Sequence, residues 1–226
     1  MAVDFESDTL VAEAGQFEPN SAGLRYLHEM TSRQGRMSVI LGPPNSGKTE
    51  VIKRFAKNLS GDRVCKVLNA RLLTPESLIA ACLQSMQYGA SRLSSDEMLD
   101  LLRVVVSQQA RGKKAPILIV DDMQDMTPLA QQTLCSLAGF TNQRHPAIHI
   151  VLAGEPGCAR LLASPAMAAL AARATEVFHL EPLSPTEVRH YLHGRLRASG
   201  VRLPDTVFPL DVCESLHEQS GGWLGS

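Results

Sequence analysis

Eight consecutive residues, Gly42, Pro43, Pro44, Asn45, Ser46, Gly47, Lys48 and Thr49, carry the spacing GxxxxGK[ST] in full. Each residue type suits an anion of dense charge. Main-chain N–H groups from Asn45 to Thr49 can converge on phosphate oxygens, because glycines leave no Cβ to obstruct the turn or the approach of the ligand. Lys48 carries an ammonium on a long stem, able to reach the β and γ phosphates. The Thr49 hydroxyl is a hard oxygen ligand for Mg²⁺. A helix opening at Lys48, with Glu50 in its first turn, turns the positive end of its dipole toward the same anion. The chemistry implied is binding of ATP or ADP with Mg²⁺ by residues 42–50.

A second constellation lies well downstream. Ile117, Leu118, Ile119 and Val120 are followed by Asp121 and Asp122. An apolar strand ending in a carboxylate across from a phosphate loop supplies what Mg²⁺ requires, and Asp121 is assigned that role. Asp122 points differently and is assigned to orient or deprotonate the attacking water. An apolar strand ending in two acids also describes an ordinary strand exit, so this motif takes its meaning from the intact phosphate loop.

These residues need a scaffold, and the pattern provides one. Met37–Leu41 is a short apolar run ending at Gly42 and predicts a buried strand, with a helix from Lys48 to about Leu59. Further strands are predicted over 63–68, 116–121, 147–153 and 174–180. A helix is predicted over 20–34, with Asn20 or Ser21 as its cap. Thr74-Pro75, Ser94 to Glu97, Thr127-Pro128 and Ser184 to Glu187 read as helix starts. Met98, Leu101, Leu102 and Val105 share one helical face. Alternation of strands and helices implies an α/β fold with a parallel five-stranded sheet flanked by helices. After the fifth strand only helices remain, over 184–199 and 210–219. The expected organisation is a tail over 1–19, a nucleotide-binding domain over 20–182, and a small all-helical lid over 183–226. The end at Ser226 falls inside that lid, which is expected to be incomplete.

Composition sets the outer bounds. The chain has 226 residues, of which 44% are hydrophobic and 20% charged, a globular profile. Lys plus Arg number 22 against 23 Asp plus Glu, so bulk positive charge cannot drive nucleic-acid binding. Aromatics at 4% are too few for a base-stacking platform. Cysteines at 65, 82, 135, 158 and 213 show no metal-ligand or disulfide spacing and read as small buried hydrophobes. His190 and His193 read as surface residues. No apolar run approaches the roughly 18 residues of a membrane helix, and the acidic start is unlike a signal peptide. A cytoplasmic location is expected.

The two motifs, followed by a strand ending near Glu155 and by a helical lid, resemble an AAA+ ATPase, a P-loop NTPase. The segments 152–157 (LAGEPG), 173–184 (RATEVFHLEPLS) and 191–200 (YLHGRLRASG) are similar to the general secretion pathway ATPase family, its A-component branch. That branch neighbours the transposition-associated ATPases. The stretch 17–26 also resembles that family, and the likeness covers about residues 17 to 224. It implies a γ-phosphate-sensing role for Glu155, where the family more often has an amide. It also implies that Arg173 reaches the nucleotide of a neighbouring subunit, although a solvated helix-end arginine reads equally well here. Two departures bear on activity. Asp122 stands where the family has Glu, one methylene longer, and Gly225 stands at the position of a lid arginine. The implied function is Mg²⁺-dependent ATP hydrolysis, slow or dependent on a partner, within a ring or arc of copies that remodels a protein partner associated with a membrane. The alternative is an ATP-dependent DNA-binding switch, with Arg195, Arg197 and Arg202 as its contacts. A P-loop phosphotransferase fits less well with the paired acids and the all-helical end.

Overall fold

The computed structural model describes residues 20–32, 37–59, 65–89, 92–110, 115–143, 145–223 and 225. Five strands form one sheet: β1 (Met37–Leu41), β2 (Cys65–Asn69), β3 (Ile117–Asp121), β4 (His149–Gly154) and β5 (Ala174–His179). Their spatial order is β2-β3-β4-β1-β5, and every pairing is parallel. Strands β1, β3 and β4 are buried at every position. Mostly apolar runs make such strands, because helices cover both faces of a parallel sheet, and the buried Ser38 Oγ and His149 Nε2 lie 3.0 Å apart.

Register decides what meets at the carboxyl edge. Leu41 pairs with Gly154, and Asn69 pairs with Asp121. The residues that follow β1, β3 and β4 therefore leave from the same edge, where open parallel sheets place their ligands.

The described helices are α1 (Ser21–Ser32), α2 (Lys48–Asn58), α3 (Pro75–Ser85), α4 (Ser95–Ala110), α5 (Pro128–Ala138), α6 (Cys158–Leu162), α7 (Ala168–Ala171), α8 (Pro185–Ala198) and α9 (Leu210–Ser220). Several of them begin at capping residues, whereas the short α6 and α7 have no side-chain cap and were not expected from the sequence. Thr74 and Thr127 cap α3 and α5 by accepting from Ser77 N–H and Ala130 N–H, with proline as the first helical residue of each. Met98, Leu102 and Val105 of α4 are buried, as are Ile52 and Phe55 of α2 and Leu134 and Leu137 of α5. Each fully buried side chain of this size contributes roughly 1.5–3 kcal/mol of transfer free energy. None of the described helices is long and apolar enough to cross a membrane.

Boundaries move by a residue or two from the predicted ones. Strand β2 runs one residue further than expected, because Asn69 still pairs with Asp121. Its predicted start at 63–64 lies outside the described residues. Strand β5 stops at His179, although Leu180 N–H still donates to Leu41 O at 2.8 Å. Helix α1 covers Ser21–Ser32, preceded by Asn20 in the left-handed conformation at φ 61°. A two-rung hairpin, Thr141–Asn142 against His145–Pro146, had no sequence signal. The predicted tail over 1–19 lies outside the described residues.

Two compact units are distinguished. Among the described residues, those of 22–44 and 48–180 form the unit built on the sheet, and those of 20–21, 45–47 and 181–225 form the other. In the second unit, Ser184 and Glu187 make a reciprocal capping box that starts α8. Ser184 N–H donates to Glu187 Oε2 at 2.8 Å, and Glu187 N–H donates to Ser184 Oγ at 3.3 Å. Helix α9 closes on Gly221, in the left-handed conformation at φ 59°. The histidine reading needs one correction. His190 is exposed, but His193 is 4% exposed and its Nε2 lies 2.8 Å from Phe208 O. It faces inward because the segment carrying Phe208 packs over that turn of α8 and leaves a carbonyl to be satisfied.

Candidate functional site

The phosphate loop starts from a fixed point. Gly42 N–H donates to Gly154 O at 3.1 Å, tying the first loop residue to the tip of β4. Asn45 and Gly47 adopt left-handed backbone, at φ 62° and 90°. Glycine does so without strain, and asparagine tolerates it better than most residues. Ser46 is buried, whereas Pro44, Asn45, Thr49 and Glu50 are exposed. Lys48 opens α2 and curls back over its own loop. Its Nζ donates to Gly42 O at 2.9 Å and to Pro43 O at 2.7 Å. Burial pushes the Lys48 pKa down, and the charges of Asp121, Asp122 and Glu155 oppose that shift. An ammonium held over main-chain carbonyls has attachments that a phosphate can replace.

The first acid after β3 meets the loop. Asp121 is 4% exposed, and its Oδ2 accepts from Thr49 Oγ1 at 2.6 Å. Its Oδ1 accepts from Asp122 N–H at 3.0 Å. A hydroxyl and a carboxylate thus stand in contact, two hard oxygen donors contributed by a helix start and a strand end. That donor set fits Mg²⁺, which takes few protein ligands and completes its shell with water and phosphate.

The second acid is held quite differently. Asp122 adopts left-handed backbone at φ 55°, and this turns its side chain off the line of the strand. Its Oδ2 accepts from Asn69 Nδ2 at 2.7 Å, and its Oδ1 accepts from Gln124 Nε2 at 3.3 Å. Asn69 is itself oriented, because its Oδ1 accepts from Arg71 N–H at 3.0 Å. Gln124 reaches the next strand tip, where its Oε1 accepts from Glu155 N–H at 3.2 Å. Sequence reasoning named neither amide. The only available signal for Asn69 was its place at the end of a strand, and that becomes meaningful only once β2 is known to lie beside β3.

Lys48, Thr49, Asp121, Asp122 and Glu155 are therefore gathered at one edge of the sheet. Arg173 is not among them. It precedes β5, and its carbonyl accepts from Met37 N–H at the start of β1, so it sits at the opposite, amino edge. Its Nη1 donates to Ala138 O at 2.9 Å and its Nη2 to Ile148 O at 2.6 Å. Burial lowers its pKa. The guanidinium ties the end of α5 to the residue before β4, an arrangement unlike the solvated helix-end arginine that was the alternative.

A parallel sheet in the order 2-3-4-1-5, with a phosphate loop after β1 and an acidic exit from β3, is the AAA+ form of the P-loop fold. A family model described as AAA domain matches residues 31–162, more than half of the chain, and the chain belongs to that family. It is 28% identical over 208 residues to General secretion pathway protein A of Aeromonas hydrophila, covering 91% of this chain and 37% of that protein. The chain thus spans little more than a third of that relative's length. Among solved structures it resembles Cdc6p from Pyrobaculum aerophilum, with TM-score 0.61, 17% identity, and coverage of 81% of this chain and 50% of the other. It also resembles the ORC2 protein of Aeropyrum pernix in its ADPNP-ADP complexes, with TM-score 0.62, 16% identity, and coverage of 93% and 62%. The ORC1 protein of the same organism in complex with DNA gives TM-score 0.60 at 20% identity, with coverage of 89% and 56%. At such identities these are likenesses of fold.

Proposed function

We propose that this chain binds ATP with Mg²⁺ at the carboxyl edge of its sheet and hydrolyses it slowly or under the control of a partner. The observation that carries the reading is the 2.6 Å contact between Thr49 Oγ1 and Asp121 Oδ2, which joins the phosphate loop to the acidic strand end. In this reading Lys48 leaves its loop carbonyls for the β and γ phosphates. Thr49 and Asp121 would hold Mg²⁺, which when bound would offset charge on the phosphate oxygens. Asp122 orients the water and takes its proton as the new P–O bond forms and the bond to the leaving phosphate breaks. Asp122 is one methylene shorter than the Glu that the family resemblance implies at this position, so its carboxylate stands back from that water. Glu155 adds negative charge near the γ phosphate, and both features favour slow turnover.

Similarity to a secretion pathway protein supports a role in assembling or remodelling a partner complex, with copies of the chain arranged in a nucleotide-dependent ring or arc. The reading places this activity in the cytoplasm, where ATP is held. A second reading, an ATP-dependent DNA switch, draws on the exposure of Arg195, Arg197 and Arg202. Calorimetric titration with ATP, with and without Mg²⁺, tests the core of the proposal. Wild type should bind, and Lys48→Ala should lose at least about tenfold in affinity, as expected when a charge-assisted phosphate contact is removed. Asp122→Asn should bind with unchanged affinity and fail to turn over. Absence of binding with Mg²⁺ present overturns the reading. A DNA shift that requires ATP and weakens with salt would favour the switch.

A further inference from the structure

We infer that Gln124 is the positioning residue for the Asp122 carboxylate, and that it sets the place of that carboxylate from the tip of strand β4. The inference rests on the hydrolase reading above and adds a residue to it. A carboxylate that orients water must be held in place, and one residue off the strand it has no ladder to hold it. Asp122 lies in that position, at φ 55°. Asn69 takes one carboxylate oxygen, and Gln124 Nε2 takes the other at 3.3 Å.

What distinguishes Gln124 is the far side of its amide. Its Oε1 accepts from Glu155 N–H at 3.2 Å and lies 3.8 Å from Cys158 Sγ, which donates to it. A primary amide is donor at one end and acceptor at the other, so it can join a carboxylate to an N–H group. A glutamate in the same place would present oxygen to both. The strand tip it grips is itself tied to the loop, because Gly154 O accepts from Gly42 N–H at 3.1 Å. Asp122, Gln124, the Gly154–Glu155 peptide and the first residue of the phosphate loop thus form one continuous run of hydrogen bonds. The fit at the tip is close. A Cβ at Gly154 would stand 2.5 Å from Met123 Cγ, 2.7 Å from Cys158 Sγ and 3.1 Å from Gln124 Oε1. The turn that carries Gln124 lies against β4 only because residue 154 has no side chain.

The test compares Gln124→Ala with Gln124→Glu in the full chain by three measurements: steady-state ATP turnover with Mg²⁺, nucleotide affinity, and amide hydrogen exchange at Glu155. Both variants should keep nucleotide affinity within a few-fold of wild type and lose turnover by about 10- to 100-fold, the scale of an ångström-sized misplacement. Glutamate should be the worse of the two, since it sets a second carboxylate against Asp122. A residue that merely fills space would give the reverse order, because glutamate has nearly the shape of glutamine. Exchange at Glu155 should quicken in Gln124→Ala and stay slow in Gln124→Glu, which keeps the acceptor. Wild-type turnover in Gln124→Glu, or unchanged exchange in Gln124→Ala, overturns the inference. A wild-type chain that binds Mg·ATP without hydrolysing it overturns the hydrolase reading instead, and the exchange measurement still decides whether Gln124 makes the bridge.

Discussion

Replacing Arg173 by methionine keeps most of the aliphatic stem and removes the guanidinium. The structure says what is lost. Ala138 is the last residue of α5, so its carbonyl is one of those a helix end leaves without an internal partner. Arg173 supplies that partner at 2.9 Å and holds Ile148 O at 2.6 Å. A hydrogen bond from a charged donor contributes about 1.5–3 kcal/mol, so the pair contributes about 3–6 kcal/mol. The side chain is only partly buried, and water can replace some of what is lost, which places the expected cost near the lower end, about 3 kcal/mol. For a chain of this size that corresponds to a fall in Tm of about 6–12 °C. Thermal unfolding followed by circular dichroism reads the shift. Turnover in mixtures of Arg173→Met with Lys48→Ala then asks whether the arginine also acts on a neighbouring subunit's nucleotide. A Tm within about a degree of wild type, together with turnover that is lost in each variant alone and regained in the mixture, would refute the holding role and support the reach in trans.

Gly154→Ala should cost about 1–3 kcal/mol through overpacking against Met123 and Cys158, seen as a lower urea midpoint with an unchanged slope. It should also lower turnover, because the displaced turn carries Gln124. Ser184→Ala removes the acceptor for Glu187 N–H at the start of α8 and should destabilise the helical unit by about 1 kcal/mol, read by hydrogen exchange along Pro185–Ala198. Nucleotide binding should not depend on that cap, so loss of ATP affinity in Ser184→Ala would show that the unit contributes more to the site than its own stability.

Much of this molecule is legible from neighbours along the chain. The phosphate loop is one continuous segment, and glycine, lysine and threonine at fixed offsets state its chemistry without knowledge of the fold. Helix starts at Thr74, Thr127 and Ser184 are equally local, since a cap and its partner lie three residues apart. The mostly apolar runs of β1, β3 and β4 declare strands covered on both faces. What the sequence could not show is which side chains meet across the sheet. Asn69 and Asp122 are 53 positions apart, and they touch because β2 lies beside β3 in a register that pairs Asn69 with Asp121. Gln124 finds Glu155 because β4 lies between β3 and β1, an order no local pattern encodes. Arg173 faces inward, and His193 is buried, for the same reason: carbonyls brought close by packing require donors. Local sequence determined which residues form the loop that the proposed function assigns to phosphate. Strand order and register decided which groups hold the acids in place, because hydrogen bonds between distant residues exist only after the sheet has formed.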